Sequence, residues 1–112
     1  MKELLKTLCA LDGVSSWEDA VRDYLYAEAK PNADSLRVDA LGSLIVSKRG
    51  KKPTGNKVML CAHMDEVGLM VRRITDEGYL KFDAVGALDR RVLLGKPVRV
   101  GPKGIPGVVG LK

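Results

Sequence analysis

The stretch KVMLCAH, Lys57 to His63, is a nearly continuous apolar run. A strand with apolar side chains on both faces needs a covering layer on each side, so such a run suits a parallel or mixed sheet packed under helices. The chain ahead of it predicts those helices. In KELLKTLCALDG, Leu4, Leu5, Leu8 and Leu11 fall on one helical stripe. Asp12-Gly13 then supplies a stop, since glycine tolerates the left-handed turn that ends helices. In SSWEDAVRDYLYAEAKP, Ser15 with Glu18 three residues on matches a capping box. Trp17, Val21, Tyr24, Leu25 and Glu28 continue the helical period, and Pro31 marks its end.

The remaining segments read as β-structure. SLRVDALGSLIVSKRG predicts a hairpin about Leu41-Gly42. VGLMVRRI and YLKFDAV flank TDEG, whose turn chemistry predicts a second hairpin. GKPVRVGPKGIPGVVGLK is rich in Gly and Pro with short strands at close spacing, the texture of a small β-barrel or β-sandwich. The pattern shifts near Gly68, from mixed helix and strand to all-β. The final VVGLK reads as a strand cut short, with nothing to protect its edge. The chain is therefore expected to be a fragment of a longer protein.

At 112 residues the chain is one ordinary domain or pieces of two, and 46% hydrophobic content is enough to bury a core. The net charge of +5 raises the question of nucleic acid. Residues 1–56 carry nine basic and eight acidic groups, and residues 57–112 carry ten and six, so the excess is spread out. The densest cluster, SKRGKK at Ser47–Lys52 beside Pro53, reads as a solvated loop before it reads as a phosphate patch. No aromatic residues interleave with it, so base stacking is not indicated and no nucleic-acid partner is expected. Cys9 and Cys61 lie far apart in apolar settings, which suits a reducing compartment. Glu3, Lys6 and Asp12 interrupt the leader-like N-terminus, and no apolar run is long enough to span a bilayer. A cytoplasmic protein with no membrane partner is expected.

His63 is the only histidine, and it stands where the apolar run ends. Strand alternation places Cys61, His63 and Asp65 on one face, and functional residues of α/β sheets gather at the carboxyl ends of strands. A carboxylate two residues on can accept one ring N–H, fixing the tautomer and raising the imidazole's basicity toward a metal. Alternation points the further carboxylate, Glu66, elsewhere. A lone His-x-Asp is also what a satisfied, non-binding histidine looks like, and it cannot complete a metal site by itself. Residue pattern alone leaves both readings open. Other chemistries are weaker: Ser15-Ser16 reads as capping, Cys61 as inert core, and GPKGIPG lacks the ending of a phosphate loop. Met59, Met64 and Met70 read as core filler.

Taken together, several ordered motifs resemble the glutamyl-aminopeptidase-like family of dinuclear metallo-aminopeptidases, which includes the tetrahedral aminopeptidases and members labelled endoglucanase M or cellulase. LDGVSSWEDAVRDYL looks like its opening helical signature and VDALGSLIV like its first hairpin. AHMDEVG resembles its first metal motif, and VGALDRRVLLGKPVRV with KGIPGVVG resembles the start of its inserted β-domain. GALDRR departs from the Gly-Gly-Trp-Asp type common in relatives, around Ala87 and Leu88.

The resemblance implies an α/β fold: residues 1–70 as the N-terminal part of an α/β sandwich catalytic domain, and residues 71–112 as the start of an inserted small β-barrel domain. It implies two divalent metal ions, zinc or cobalt, with His63 a direct ligand and Asp65 the carboxylate that orients it. The remaining ligands and the glutamate general base would lie beyond Lys112. A peptide would be the substrate, its N-terminal residue the one released, and the parent a homo-oligomer, often a dodecamer. On this reading the 112 residues alone are inactive. The alternative is a non-catalytic, truncated paralogue that serves as an oligomerisation module. A third reading, nucleic-acid binding through Lys48–Lys52, rests on the basic loop alone.

Overall fold

A computed structural model describes residues 1–52 and 55–111. Its helices are α1 (Lys2–Leu8) and α2 (Asp19–Ala29), and its strands are β1 (Ser35–Val38), β2 (Leu44–Ser47), β3 (Gly68–Ile74), β4 (Leu80–Val85), β5 (Pro97–Val100) and β6 (Ile105–Val108). Short 3₁₀ turns cover Lys30–Asn32 and Arg90–Val92. The strands pair as three antiparallel hairpins, β1–β2, β3–β4 and β5–β6. The result is a mixed α/β chain that divides into two compact units, Met1–Glu66 and Val67–Lys112.

In the first unit both expected helices form, with shorter bounds. After Leu8 the chain tightens into turns, with the amides of Ala10 and Leu11 donating to the carbonyls of Thr7 and Leu8. Helix α2 buries Val21 and ends at Ala29, two residues before Pro31, which begins no further α-turn but sits within the 3₁₀ segment. The capping box does not form. Glu18, not Ser15, is the N-cap residue, and no side chain caps the helix. Trp17 lies in the turn ahead of α2 and is 68% exposed, so it does not continue the buried stripe.

The first hairpin forms where expected. Leu36 faces Val46 and Val38 faces Leu44, and Gly42 at φ +87° makes the reversal. Asp39 organises the turn: its Oδ1 accepts from the amides of Leu41 (3.0 Å) and Ser43 (2.9 Å). The basic loop that follows is tied back to the chain, with Lys48 Nζ donating to the Asn32 carbonyl at 2.7 Å and the Arg49 amide to Asp34. Pro53, which flanks that loop, lies outside the described residues.

The expected buried strand at Lys57–His63 is not one. Residues 57–62 take no strand pairing among the described residues, and Val58, Met59 and Leu60 are 87%, 84% and 92% exposed. A two-face apolar strand needs neighbours in its ladder and layers above and below, and the described residues supply neither. The same deficit exposes Cys61 and Met59, both expected in the core; Met70, also expected there, is exposed although it lies on the paired strand β3, and Cys9 is exposed as well.

The second unit holds the other two hairpins. β3 and β4 reverse through TDEG as expected: the Thr75 amide donates to the Tyr79 carbonyl, and the Gly78 amide to that of Thr75. The register slips by one residue between Val71 and Arg73, a bulge at Arg72. Arg72 pairs with Asp83 at 3.2 Å. GPKG makes the turn between β5 and β6, so GPKGIPG is hairpin and not an anion loop. Beyond β6, Val109 extends the pairing, donating to the Lys96 carbonyl and accepting from the Gly95 amide, and it is the buried apolar residue of this unit. The two hairpins remain separate two-stranded sheets, and no closed barrel is present among the described residues.

Candidate active site

Two segments of the first unit meet at Asp65, the turn after α1 and residues 63–66. The turn after α1 is fastened to residue 66 from both sides: the Glu66 amide donates to the Gly13 carbonyl at 2.7 Å, and Glu66 Oε1 accepts from the Gly13 amide at 3.2 Å. Val14 and Glu66 form an isolated parallel bridge there. Glu66 is thus engaged with Gly13 and has a structural task. Gly13 is buried, and a Cβ in its place would meet Val21 and the Met64 carbonyl.

This fastening brings Ser15 over Asp65. The Ser15 hydroxyl donates to Asp65 Oδ2 at 2.5 Å. On the other carboxylate oxygen, Oδ1 lies 3.1 Å from His63 Nδ1, and the Asp65 carbonyl lies 3.0 Å from the same nitrogen. Both oxygens only accept, so Nδ1 carries the proton and donates to them. Nε2 then bears the lone pair, and it has no protein partner among the described residues. The imidazole itself is 85% exposed. Two hydrogen bonds from outside, first from Ser15 and then from His63, hold the Asp65 carboxyl below its ordinary range, so it is a firmly ionised acceptor.

The arrangement brings together His63 and Asp65, as their spacing suggested, and adds Ser15, which capping logic had assigned elsewhere. No local signal could have found it, because its partner lies fifty residues away. A neutral imidazole with Nδ1–H held by a carboxylate and Nε2 facing solvent is the chemistry of a metal ligand. It fits one corner of a metal site. The described residues contain no group of three or more His, Cys, Asp or Glu placed to hold an ion.

A model of the M42 glutamyl aminopeptidase family matches residues 42–112, a stretch that contains His63, Asp65 and Glu66. The chain belongs to that family. Its fold matches a portion of solved structures of related proteins. An endoglucanase of Thermotoga maritima is 42% identical, with a TM-score of 0.88 across 96% of this chain and 34% of its own. The TET1 peptidase of Pyrococcus horikoshii, described as assembling into a tetrahedron or a large octahedral shell, is 41% identical, with a TM-score of 0.82 across 98% of this chain and 33% of its own. Among relatives compared by sequence, the lysyl aminopeptidase of Pyrococcus furiosus is 37% identical over 98 residues, which are 87% of this chain and 28% of that one. The M42 chain described here thus spans about a third of the length of the relatives it matches. No helix among its described residues is long and apolar enough to cross a membrane.

Proposed function

We propose that these 112 residues contribute His63 as a metal ligand, and Asp65 as the carboxylate that orients it, to the active site of a metal-dependent aminopeptidase acting on the N-terminal residues of peptides. One observation carries this reading: in a member of the M42 family, Asp65 occupies His63 Nδ1 and leaves Nε2 turned to solvent. Bound in the complete enzyme, two zinc or cobalt ions would acidify a water and polarise the scissile carbonyl. The chain's own residues do less. His63 offers one lone pair, and Asp65 holds the tautomer. A general base and the remaining ligands come from residues other than these, so the isolated chain does not turn over.

On this reading residues 1–70 belong to the catalytic domain and residues 71–112 open an inserted β-domain through which copies associate, in a cytoplasmic homo-oligomer. Zinc or cobalt titration of the purified chain tests the central claim. Weak binding that disappears in His63→Ala, with no cleavage of an aminoacyl-anilide, is expected. Binding indifferent to His63 would remove the ligand assignment, and tight uptake of two ions with turnover would overturn the inactivity of the isolated chain. Light scattering reads self-association, and a strict monomer at high concentration would count against the β-domain as an association module.

A further inference from the structure

We propose that Ser15 is a positioning residue, which aims the imidazole of His63 by locking the carboxylate of Asp65. The proposal rests on the reading of His63 as a ligand only for its purpose, since the positioning itself is a property of the metal-free protein.

A carboxylate that orients a histidine must itself be kept from turning. Asp65 uses Oδ1 on His63 Nδ1, so what happens at Oδ2 decides whether the group can rotate away to water. Ser15 holds Oδ2, and each oxygen is then committed. Ser15 can do this because its own backbone is fixed. On one side, Gly13 is clamped twice to Glu66, the residue next to Asp65, so donor and acceptor ride on one local frame. On the other, Ser16 adopts φ +71°, a left-handed conformation that a serine enters at a cost. That conformation is held by its amide donating to Glu18 Oε1 at 2.8 Å and by the Trp17 amide donating to the Val14 carbonyl at 2.7 Å. The reversal at Ser16 turns the chain into α2 immediately after Ser15 has reached Asp65. The loop's unusual backbone is accounted for by the delivery of one hydroxyl.

The imidazole is mostly in water, where the proton of a neutral ring favours Nε2. Among the described residues only Asp65, through Oδ1 and its carbonyl, draws the proton to Nδ1. With Oδ2 released, the carboxylate turns and only the carbonyl remains to hold the ring.

His63 is the only histidine, so long-range ¹H–¹⁵N spectra of the histidine-labelled chain at about pH 8, above the ordinary imidazole range, report its tautomer without ambiguity. The unaltered protein should show predominantly Nδ1–H. Ser15→Ala and Ser15→Val should lower that population by about half or more, as loss of an outer partner loosens the ligand it orients. Ser15→Thr, which keeps the hydroxyl and differs from Val by one group, should restore it. A predominantly Nε2–H ring in the unaltered protein overturns the proposal whether or not any variant folds, and so does a Thr variant indistinguishable from Val. Zinc titration of His63→Ala separates the two readings. If the tautomer follows Ser15 but zinc ignores His63, the ligand assignment falls and the positioning stands.

Discussion

A methyl group on Gly13 would lie 2.8 Å from Cγ2 of Val21, closer than real contacts allow. Val21 is the buried apolar residue of α2, so the glycine is where the turn after α1 can approach that helix. Gly13→Ala should destabilise the first unit by about 1–3 kcal/mol through overpacking. The urea midpoint should fall with little change in slope. Combined with Val21→Ala the loss should be less than the sum, since the truncated side chain makes room; strict additivity would show that the contact is not the cause.

Asp39 gives the β1–β2 turn a pH dependence. The amide of Ser43 above all, with that of Leu41, holds its carboxyl below the ordinary value. Because the folded value is depressed, this stabilisation is complete above the unfolded value of about 3.9 and is lost as pH falls through the folded value. Asp39→Asn should therefore be less stable than the parent at neutral pH, and the gap should narrow as pH drops below about 4. Urea midpoints for both proteins across that range check it. A constant gap would mean that the ionised carboxylate is not what the turn uses.

Gly42 and Gly86 both have positive φ, at +87° and +79°, but differ in surroundings. Nothing among the described residues lies within 4 Å of a Cβ built on Gly42, whereas one on Gly86 meets Val67 Cγ1 at 3.0 Å. Gly42→Ala should cost about 1–2 kcal/mol from the left-handed backbone alone, and Asn should recover part of it. Gly86→Ala carries that cost and the contact with Val67 besides. Thermal unfolding of the two variants should rank Gly86→Ala below Gly42→Ala, and the reverse order would refute the contact.

Amides of Val58, Met59 and Leu60 should exchange with solvent deuterium without measurable delay, since no ladder among the described residues pairs them. Those of β3 that bond to β4 should be protected. Equal protection in the two stretches would show that residues 57–62 are paired after all.

The hairpins were legible because their signals are local. Asp39 with Gly42, and Thr75 with Gly78, carry their turns within a few residues, and the helical stripe around Val21 needs no distant partner. What could not be read was set at long range. Ser15 and Glu18 have the spacing of a capping box, yet the hydroxyl gains more from an ionised carboxylate fifty residues on than from a helix amide. Apolar character at Val58–Leu60 predicts a covered segment, but cover is a property of neighbours and not of the segment, and these three residues are exposed. The His63–Asp65 pair was accessible from spacing, whereas the choice of Nδ1 as its proton-bearing nitrogen required the positions of two oxygens.

The open run from Val58 to Leu60 also bears on how this polypeptide behaves at high concentration. Three large apolar residues in a row, which take no strand pairing among the described residues, form a template for cross-β stacking between molecules. Lys57 is the only charge between Lys52 and His63. It acts as a gatekeeper, since stacked copies in register would bring like charges together. High salt, which screens that ammonium group, should therefore bring on thioflavin-positive aggregation of the isolated chain sooner.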